Sequence, residues 1–219
     1  MFSPAFFLRG PRLEFVGNSG SNTTGATTPW PVGVLADDVA VFCAFMFDGA
    51  GAGVPSRSTP SGWSVITDSS GGVDYGGDSV SSVVYIKKVT LADIGAELPT
   101  VNASYQHCTD LLVFRPVGSY TSWDATGWSQ STAQVPLTGS IIASGQTVPC
   151  VAIAYGGKRY SGGNSMTFTP AGTSFIKENG ASTARTTVTY SIFDSSPADI
   201  TTGYDIDRLT QGVVRMTGA

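Results

Sequence analysis

One eight-residue segment occurs twice in this chain. Thr59-Pro60-Ser61-Gly62-Trp63-Ser64-Val65-Ile66 returns as Thr169-Pro170-Ala171-Gly172-Thr173-Ser174-Phe175-Ile176, with five positions identical and an offset of 110 residues. Self-similarity at a long period means that one supersecondary unit has been used more than once. The same offset lays Val41-Phe42-Cys43-Ala44-Phe45 on Val151-Ala152-Ile153-Ala154-Tyr155. Further on, Val83-Val84-Tyr85 lies over Val188-Thr189-Tyr190 at an offset of 105, and Phe114-Arg115 over Val214-Arg215 at 100. Between these come two matched helix-start patterns, Thr90-Leu91-Ala92-Asp93 and Ser196-Pro197-Ala198-Asp199. Each reads as a hydroxyl N-cap with an acid three residues on, and Pro197 suits a first helical position. The repeat therefore runs over roughly residues 36–117 and 145–219.

The units are built of strands. Short β-branched or aromatic runs bounded by Gly, Ser, Asn, Asp or Pro fall at 13–16, 39–47, 63–67, 81–89, 110–117, 133–137, 150–155, 165–169, 174–177, 186–193 and 212–216. Runs such as Val84-Tyr85-Ile86 lack strict alternation, which suits strands buried on both faces. Glycine and proline (27 and 12 of 219 residues) make up about 18% of the chain, against ~12% in an average protein. Charged residues are 13%, about half the usual ~25%. Helical bundles need charged solvent faces and few glycines. Disordered chains need low hydrophobicity, whereas 41% of this chain is hydrophobic and its net charge is −4. A pI of about 4.8 argues against nucleic acid as a partner. The expectation is an all-β fold: a two-sheet antiparallel β-sandwich, jelly-roll-like, made of two pseudo-repeated halves. It would form a single domain over 1–219 with an N-terminal arm, 1–12. Two tandem small sandwiches are the alternative.

No apolar run approaches the ~20 residues needed to span a bilayer, so no membrane partner is expected. Met1 to Arg9 lacks a basic start and is interrupted by Pro4, so no export signal is read. Cys43, Cys108 and Cys150 are odd in number and widely spaced. They read as free thiols acting as small hydrophobes, which suits assembly in a reducing cytoplasm.

Tests for chemistry give little. His107 is the single histidine, and its neighbour Cys108 should face the other side of a strand. No G-x-S-x-G elbow occurs. Glu14, Glu97 and Glu178 form no acid pair of the kind glycoside hydrolysis uses. Gly49-Ala50-Gly51-Ala52-Gly53 lacks a phosphate-loop lysine and reads as a hairpin loop. Asp68, Asp74 and Asp78 could offer oxygen ligands to Ca²⁺, although turn chemistry explains them equally well. No catalytic residue, cofactor or metal site is expected. Trp63 reads as a cap on the core at a turn. Trp123 and Trp128, with Tyr120 and Tyr160, are the candidate exposed contacts to a partner or glycan. Phe2, Phe6, Phe7 and Leu8 belong to no repeat; they read as a first strand or as an assembly arm that docks on a neighbouring subunit.

Three groups of residues carry a resemblance. They are Pro31-Val32-Gly33-Val34-Leu35-Ala36-Asp37-Asp38, then Pro60-Ser61-Gly62-Trp63, then Tyr85-Ile86-Lys87-Lys88 with Asp93-Ile94-Gly95. Over roughly residues 30–117 the chain resembles tailed-bacteriophage virion proteins with the pattern P-x-G-V-x-x-G-D, P-x-G-W and Y-x-[KR]…D-x-G. Asp37 stands where that pattern usually has Gly, and Thr173 replaces Trp in the second copy. The resemblance implies a non-enzymatic structural protein of the virion, assembled in the host cytoplasm. Short length favours a capsid decoration or cement protein that binds the major capsid protein or other virion subunits. A homo-oligomer, with a trimer favoured, would match local symmetry points on a shell. A tail or fibre receptor-binding part, or a carbohydrate-binding module, is the alternative.

Overall fold

A computed structural model describes the backbone of residues 12–21, 28–48, 59–68, 73–75, 78–96, 98, 106–117, 124–131, 137–143, 150–159, 167–169, 173–178, 184–193, 199–204 and 209–217. Side-chain surroundings are described for 13–20, 28–46, 59–66, 82–96, 98, 108–117, 151, 153 and 190. The chain is all-β, and no helix occurs among the described residues. The first half holds β1 (Arg12–Ser21), β2 (Val39–Asp48), β3 (Ser64–Asp68), β4 (Val73–Tyr75), β5 (Asp78–Lys88) and β6 (Gln106–Val117). Then come β7 (Asp124–Ser131), β8 (Leu137–Ala143), β9 (Cys150–Arg159), β10 (Thr167–Thr169), β11 (Thr173–Glu178), β12 (Ala184–Phe193), β13 (Asp199–Tyr204) and β14 (Leu209–Thr217).

The first sheet runs β1-β6-β2-β5-β3, with β4 also on β5. A second runs β7-β14-β9-β12-β11, and a third, smaller sheet runs β10-β13-β8. Every pairing is antiparallel. The two five-strand paths therefore share one order: β2 and β9 are central, each between the strand three places later and the last strand of its half.

The register sharpens the repeat. Cys43 pairs with Val84, and Ile153 pairs with Tyr190. With β2 laid on β9 at an offset of 110, Tyr190 therefore corresponds to Val84 rather than to Tyr85. The faces agree, since Val84 and Tyr190 pack in one cluster while Tyr85 belongs to the opposite one. The Arg115–Arg215 match fails similarly. Val41 pairs with Leu112 and Val151 with Met216, so β6 lies on β14 at an offset of 104 rather than 100.

Central β2 has no wet face. Val39 to Met46 are all buried, with no side chain more than 2% exposed. Successive side chains point to opposite faces, so both faces of the strand must be covered. On one face Val39, Val41 and Cys43 join Val84, Ile86, Leu112 and Phe114. Val151 and Ile153 from β9 complete that cluster, with Tyr190 from β12 packed on it. The Tyr190 ring stacks on Phe15 at 4.4 Å and meets Phe114 edge-on at 5.5 Å. On the other face Ala40, Phe42, Ala44 and Met46 meet Tyr85, Leu111 and Val113 under a cover of Trp30, Val34, Trp63, Val89 and Leu98. That cover comes from loop segments rather than a sheet. It is pinned by a buried Thr28–Thr109 hydroxyl pair at 2.5 Å and by Ser19 Oγ donating to the Pro29 carbonyl.

Several expectations change. Of the strand expected over 133–137, residues 133–136 lie outside the described residues, and β8 covers Leu137–Ala143. Strands β4, β7 and β13 were not expected; their Gly-, Ser- and Thr-rich sequences (ATGWSQ in β7, ITTG in β13) lack the apolar alternation that marks a strand. Asp199 opens β13 rather than closing a helical turn, because its neighbours pair with β8. Arg12, counted in the expected arm, already pairs with Val117 in β1. Residues 1–11 and the 49–53 loop lie outside the described residues.

Phe114 is fully buried between Phe15 and Tyr190. Phe114→Ala should lower stability by about 3–5 kcal/mol in urea unfolding.

Candidate functional site

The three motif groups converge on one end of the first sheet. That end holds the start of β1, β2 and β3 and the finish of β5 and β6. In Pro60-Ser61-Gly62-Trp63 the Trp63 amide donates to the Pro60 carbonyl at 3.1 Å, and Gly62 has φ 78°. In Asp93-Ile94-Gly95-Ala96 the Ala96 amide donates to the Asp93 carbonyl at 3.0 Å, and Gly95 has φ 84°. Gly33 in Pro31-Val32-Gly33-Val34 has φ 88°. In each group glycine holds the third position, where such a turn demands positive φ. The shared x-x-G spacing is a turn requirement.

A fourth left-handed residue is not glycine. Asp37 has φ 72°. It stands where the resembled pattern carries Gly, and aspartate is one of the few L-residues that tolerates this region. Its amide donates to the Val89 carbonyl at 2.9 Å, and the Val89 amide donates to the Asp38 carbonyl at 2.7 Å. The chain must turn sharply here to carry Asp38 inward.

Asp38 is the hub of this end. Its side chain is 2% exposed and accepts the Leu35 amide at 2.8 Å. Arg115, reaching across from β6, donates Nε to Oδ1 and Nη2 to Oδ2, both at 2.9 Å. Arg115 Nη2 also donates to the Gly33 carbonyl at 2.8 Å. This is a two-pronged guanidinium–carboxylate clasp, which fixes geometry as well as charge. The Asp38 carboxylate, with Glu14 opposite on β1, holds the guanidinium pKa up. On the surface Lys88 Nζ meets Asp37 Oδ1 at 2.8 Å. Leu35, Ala36, Asp37, Asp38, Lys88, Arg115 and Pro116 line a groove of about 340 Å³.

A second charged unit braces the next turn. Lys87 Nζ lies 2.5 Å from Asp93 Oδ1, and both side chains are largely buried. Asp93 Oδ2 accepts from the Thr90 amide at 2.8 Å and from Thr90 Oγ1 at 2.7 Å. The expected cap is thus reversed: the acid accepts from the threonine, whose hydroxyl caps no helix. The Asp93 amide donates back to the Thr90 carbonyl at 3.0 Å, closing a turn. Burial alone would raise the Asp93 pKa, but hydrogen bonds from Lys87 and Thr90 outweigh it and lower the value. Above this pair sits Trp63, as a turn cap on the core, with Lys87 Nζ 6.0 Å from its ring. Trp30, Trp63, Phe42 and Tyr85 follow one another at 6.3, 6.0 and 6.2 Å between ring centres. Trp30 Nε1 donates to the Ala96 carbonyl at 3.1 Å and so ties the first turn to the third.

Phe2, Phe6, Phe7, Leu8, Tyr120, Trp123 and Tyr160 lie outside the described residues. Trp128 lies on β7 at the register position of Gly212. His107 lies on β6 opposite Met46. Cys43 and Cys108 are buried free thiols, and burial, then the charge of Asp110, pushes the Cys43 pKa well up. Asp68 pairs with Val83 and Asp74 with Ser79 along one edge of β5. The side chains of Asp68, Asp74 and Asp78 lie outside the described residues. Sequence reasoning missed the Asp38–Arg115 clasp. Its signal was the paired Asp37-Asp38 directly before the most apolar strand, where an acid carried inward needs a cation.

No protein-family model, curated protein sequence or solved structure matches this chain.

Asp37→Val forces a β-branched residue into left-handed backbone and should cost about 1–2 kcal/mol, whereas Asp37→Gly should leave thermal stability unchanged or higher. Arg115→Met strands the Asp38 carboxylate and should cost about 3 kcal/mol, while adding Asp38→Asn recovers part of the loss in a double-mutant cycle. Asp93 has a lowered folded-state pKa, so its contribution is present above its unfolded value near pH 4 and is lost as pH falls through the lower folded value. Asp93→Asn should flatten the acid limb of stability measured against pH below about 4.

Proposed function

We propose that this chain is a non-enzymatic structural protein of a tailed-phage virion, a decoration or cement protein on the outside of the head. In this reading the two five-strand sheets pack as one jelly-roll-like antiparallel sandwich of two repeated halves. The contacts of Val151, Ile153 and Tyr190 with the first sheet support that arrangement. The observation that carries the reading is Asp37. The resembled pattern asks for Gly at that position, and the backbone there is left-handed. The pattern's other glycines, Gly33, Gly62 and Gly95, also sit at positive φ. That the pattern's glycine positions coincide with left-handed backbone in this chain supports the reading.

The physical fit is with assembly rather than turnover. The motifs are spent on rigid turns at one end, and the charges found there are paired with one another. A rigid end whose charges are paired suits a shape-matched contact made many times over a symmetric shell, where multiplicity supplies avidity. Residues Phe2 to Leu8 serve as the apolar arm for that contact, and a cyclic homo-oligomer, a trimer first of all, matches local symmetry.

Quantitative mass spectrometry of purified particles tests the role through copy number relative to the major capsid protein. Hundreds of copies are expected. A handful would move the chain to the tail, and none would overturn the proposal. Deleting residues 1–8 should reduce incorporation several-fold, and undiminished binding to capsids would sink the arm's part in it.

A further inference from the structure

The clasp on Asp38 leaves one edge of the Arg115 guanidinium unused. Nε and Nη2 are spent on the Asp38 carboxylate and the Gly33 carbonyl. Nη1 donates to no described residue and is not buried. A guanidinium held at three points cannot swing away, so its free edge keeps a fixed place in the groove wall. Lys88 and Asp37 also line the groove, and their side chains are 62% and 80% exposed. Lys88 Nζ carries three donors and meets only Asp37 Oδ1 among the described residues. Asp37 Oδ2 accepts from no described residue, and the Asp37 backbone is tied to the Val89 carbonyl at φ 72°. Leu35, Ala36 and Pro116 give the apolar lining, and Leu35 is 54% exposed. Unused donors, an unused acceptor and an apolar wall thus meet in one space of about 340 Å³.

Charge decides which ligand fits. Asp37 and Asp38 balance Lys88 and Arg115, and Glu14 stands opposite Arg115 on β1 as a further acid. A free anion is not drawn into a field where acids outnumber cations, and the free donors of Arg115 and Lys88 offer a cation nothing to bind. What fits is a neutral molecule that accepts and donates at neighbouring atoms and also has an apolar face. A pyranose ring meets all three demands. Each of its hydroxyls is both donor and acceptor, and its C–H bonds supply the apolar face. Small-molecule sites run to ~300–1,000 Å³, so this groove is of a size for one ring rather than a chain of them.

We propose that the groove is a saccharide-binding site. Arg115 Nη1 and Lys88 Nζ donate to hydroxyl oxygens of the sugar, Asp37 Oδ2 accepts from one hydroxyl, and the C–H face of the ring lies on Leu35 and Pro116. Asp38 is the positioning residue, since it holds the guanidinium in place. The assembly role is not a premise of this site. A chain that proves absent from virions leaves the site standing, and a groove that takes no sugar leaves the assembly reading standing.

Proton–nitrogen correlation spectra of the isolated full chain read the site by NMR. D-glucose, D-galactose, D-mannose and N-acetyl-D-glucosamine are titrated separately. At least one should shift the amides of Leu35 to Asp38 and the Arg115 Nε–H saturably, with a dissociation constant on the order of millimolar for so few contacts. Lys88→Ala with Asp37→Gly should weaken that binding about tenfold or more, through the lost hydrogen bonds. The rest of the spectrum should stay unchanged, since both side chains are exposed and glycine accepts the backbone at 37. No saturable shift with any of the four sugars overturns the proposal. Shifts that map away from the groove, or that keep their affinity in the double variant, also overturn it. Sodium acetate is the control for charge: a saturable shift with acetate and none with the sugars overturns the saccharide and assigns the groove to carboxylates.

Discussion

Everything in this structure is arranged around a strand that has no solvent face. Val39 to Met46 in β2 are buried without exception. At about 25 cal/mol per Å² of apolar surface, leaving either face of such a strand in water would forfeit several kcal/mol. Two different covers answer the two faces. One is built from strands, through Val151, Ile153 and the Tyr190 ring lodged between Phe15 and Phe114. The other is built from loops, through Trp30, Val34, Trp63 and Leu98.

A loop cover is harder to hold than a sheet, because loops bring no ladder of hydrogen bonds. Here the ladder is replaced by point fixings. Asp38 is clasped by Arg115, Asp93 by Lys87 and Thr90, and Trp30 by the Ala96 carbonyl. Positive-φ residues set the turns between those points. The resembled motifs are this fastening system, and so they recur at one end of one sheet. The same economy leaves turn tips such as Val32 and Leu91 in solvent. A fastened end with uncovered apolar tips is chemically suited to contact, which links the fold to the assembly role proposed for it.

Much of this was legible in the residues. The two-faced burial of β2 was readable from an apolar run without alternation, and Trp63 was legible as a cap on the core at a turn. Asp37 was visible as a departure from the resembled pattern, and its φ supplies the reason that the departure is tolerated. The strands β7 and β13 were not legible, since pairing partners rather than their own side chains hold them in the sheets. The Asp38–Arg115 clasp was not read from the sequence, where aromatic residues drew attention to Trp123 and Trp128, whose side chains lie outside the described residues.

The sequence by itself determined the all-β character and the recurrence of one eight-residue segment. Those depend on local conformational preference and on side-chain period, which neighbouring residues carry. Only the tertiary structure decided which tyrosine corresponds to Val84, which face each strand turns to its cover, and which cation meets Asp38. The Arg115 contact spans 77 residues. Its geometry follows from the register of β6 on β2, and a register is a sum of many weak cross-strand contacts that no single residue records.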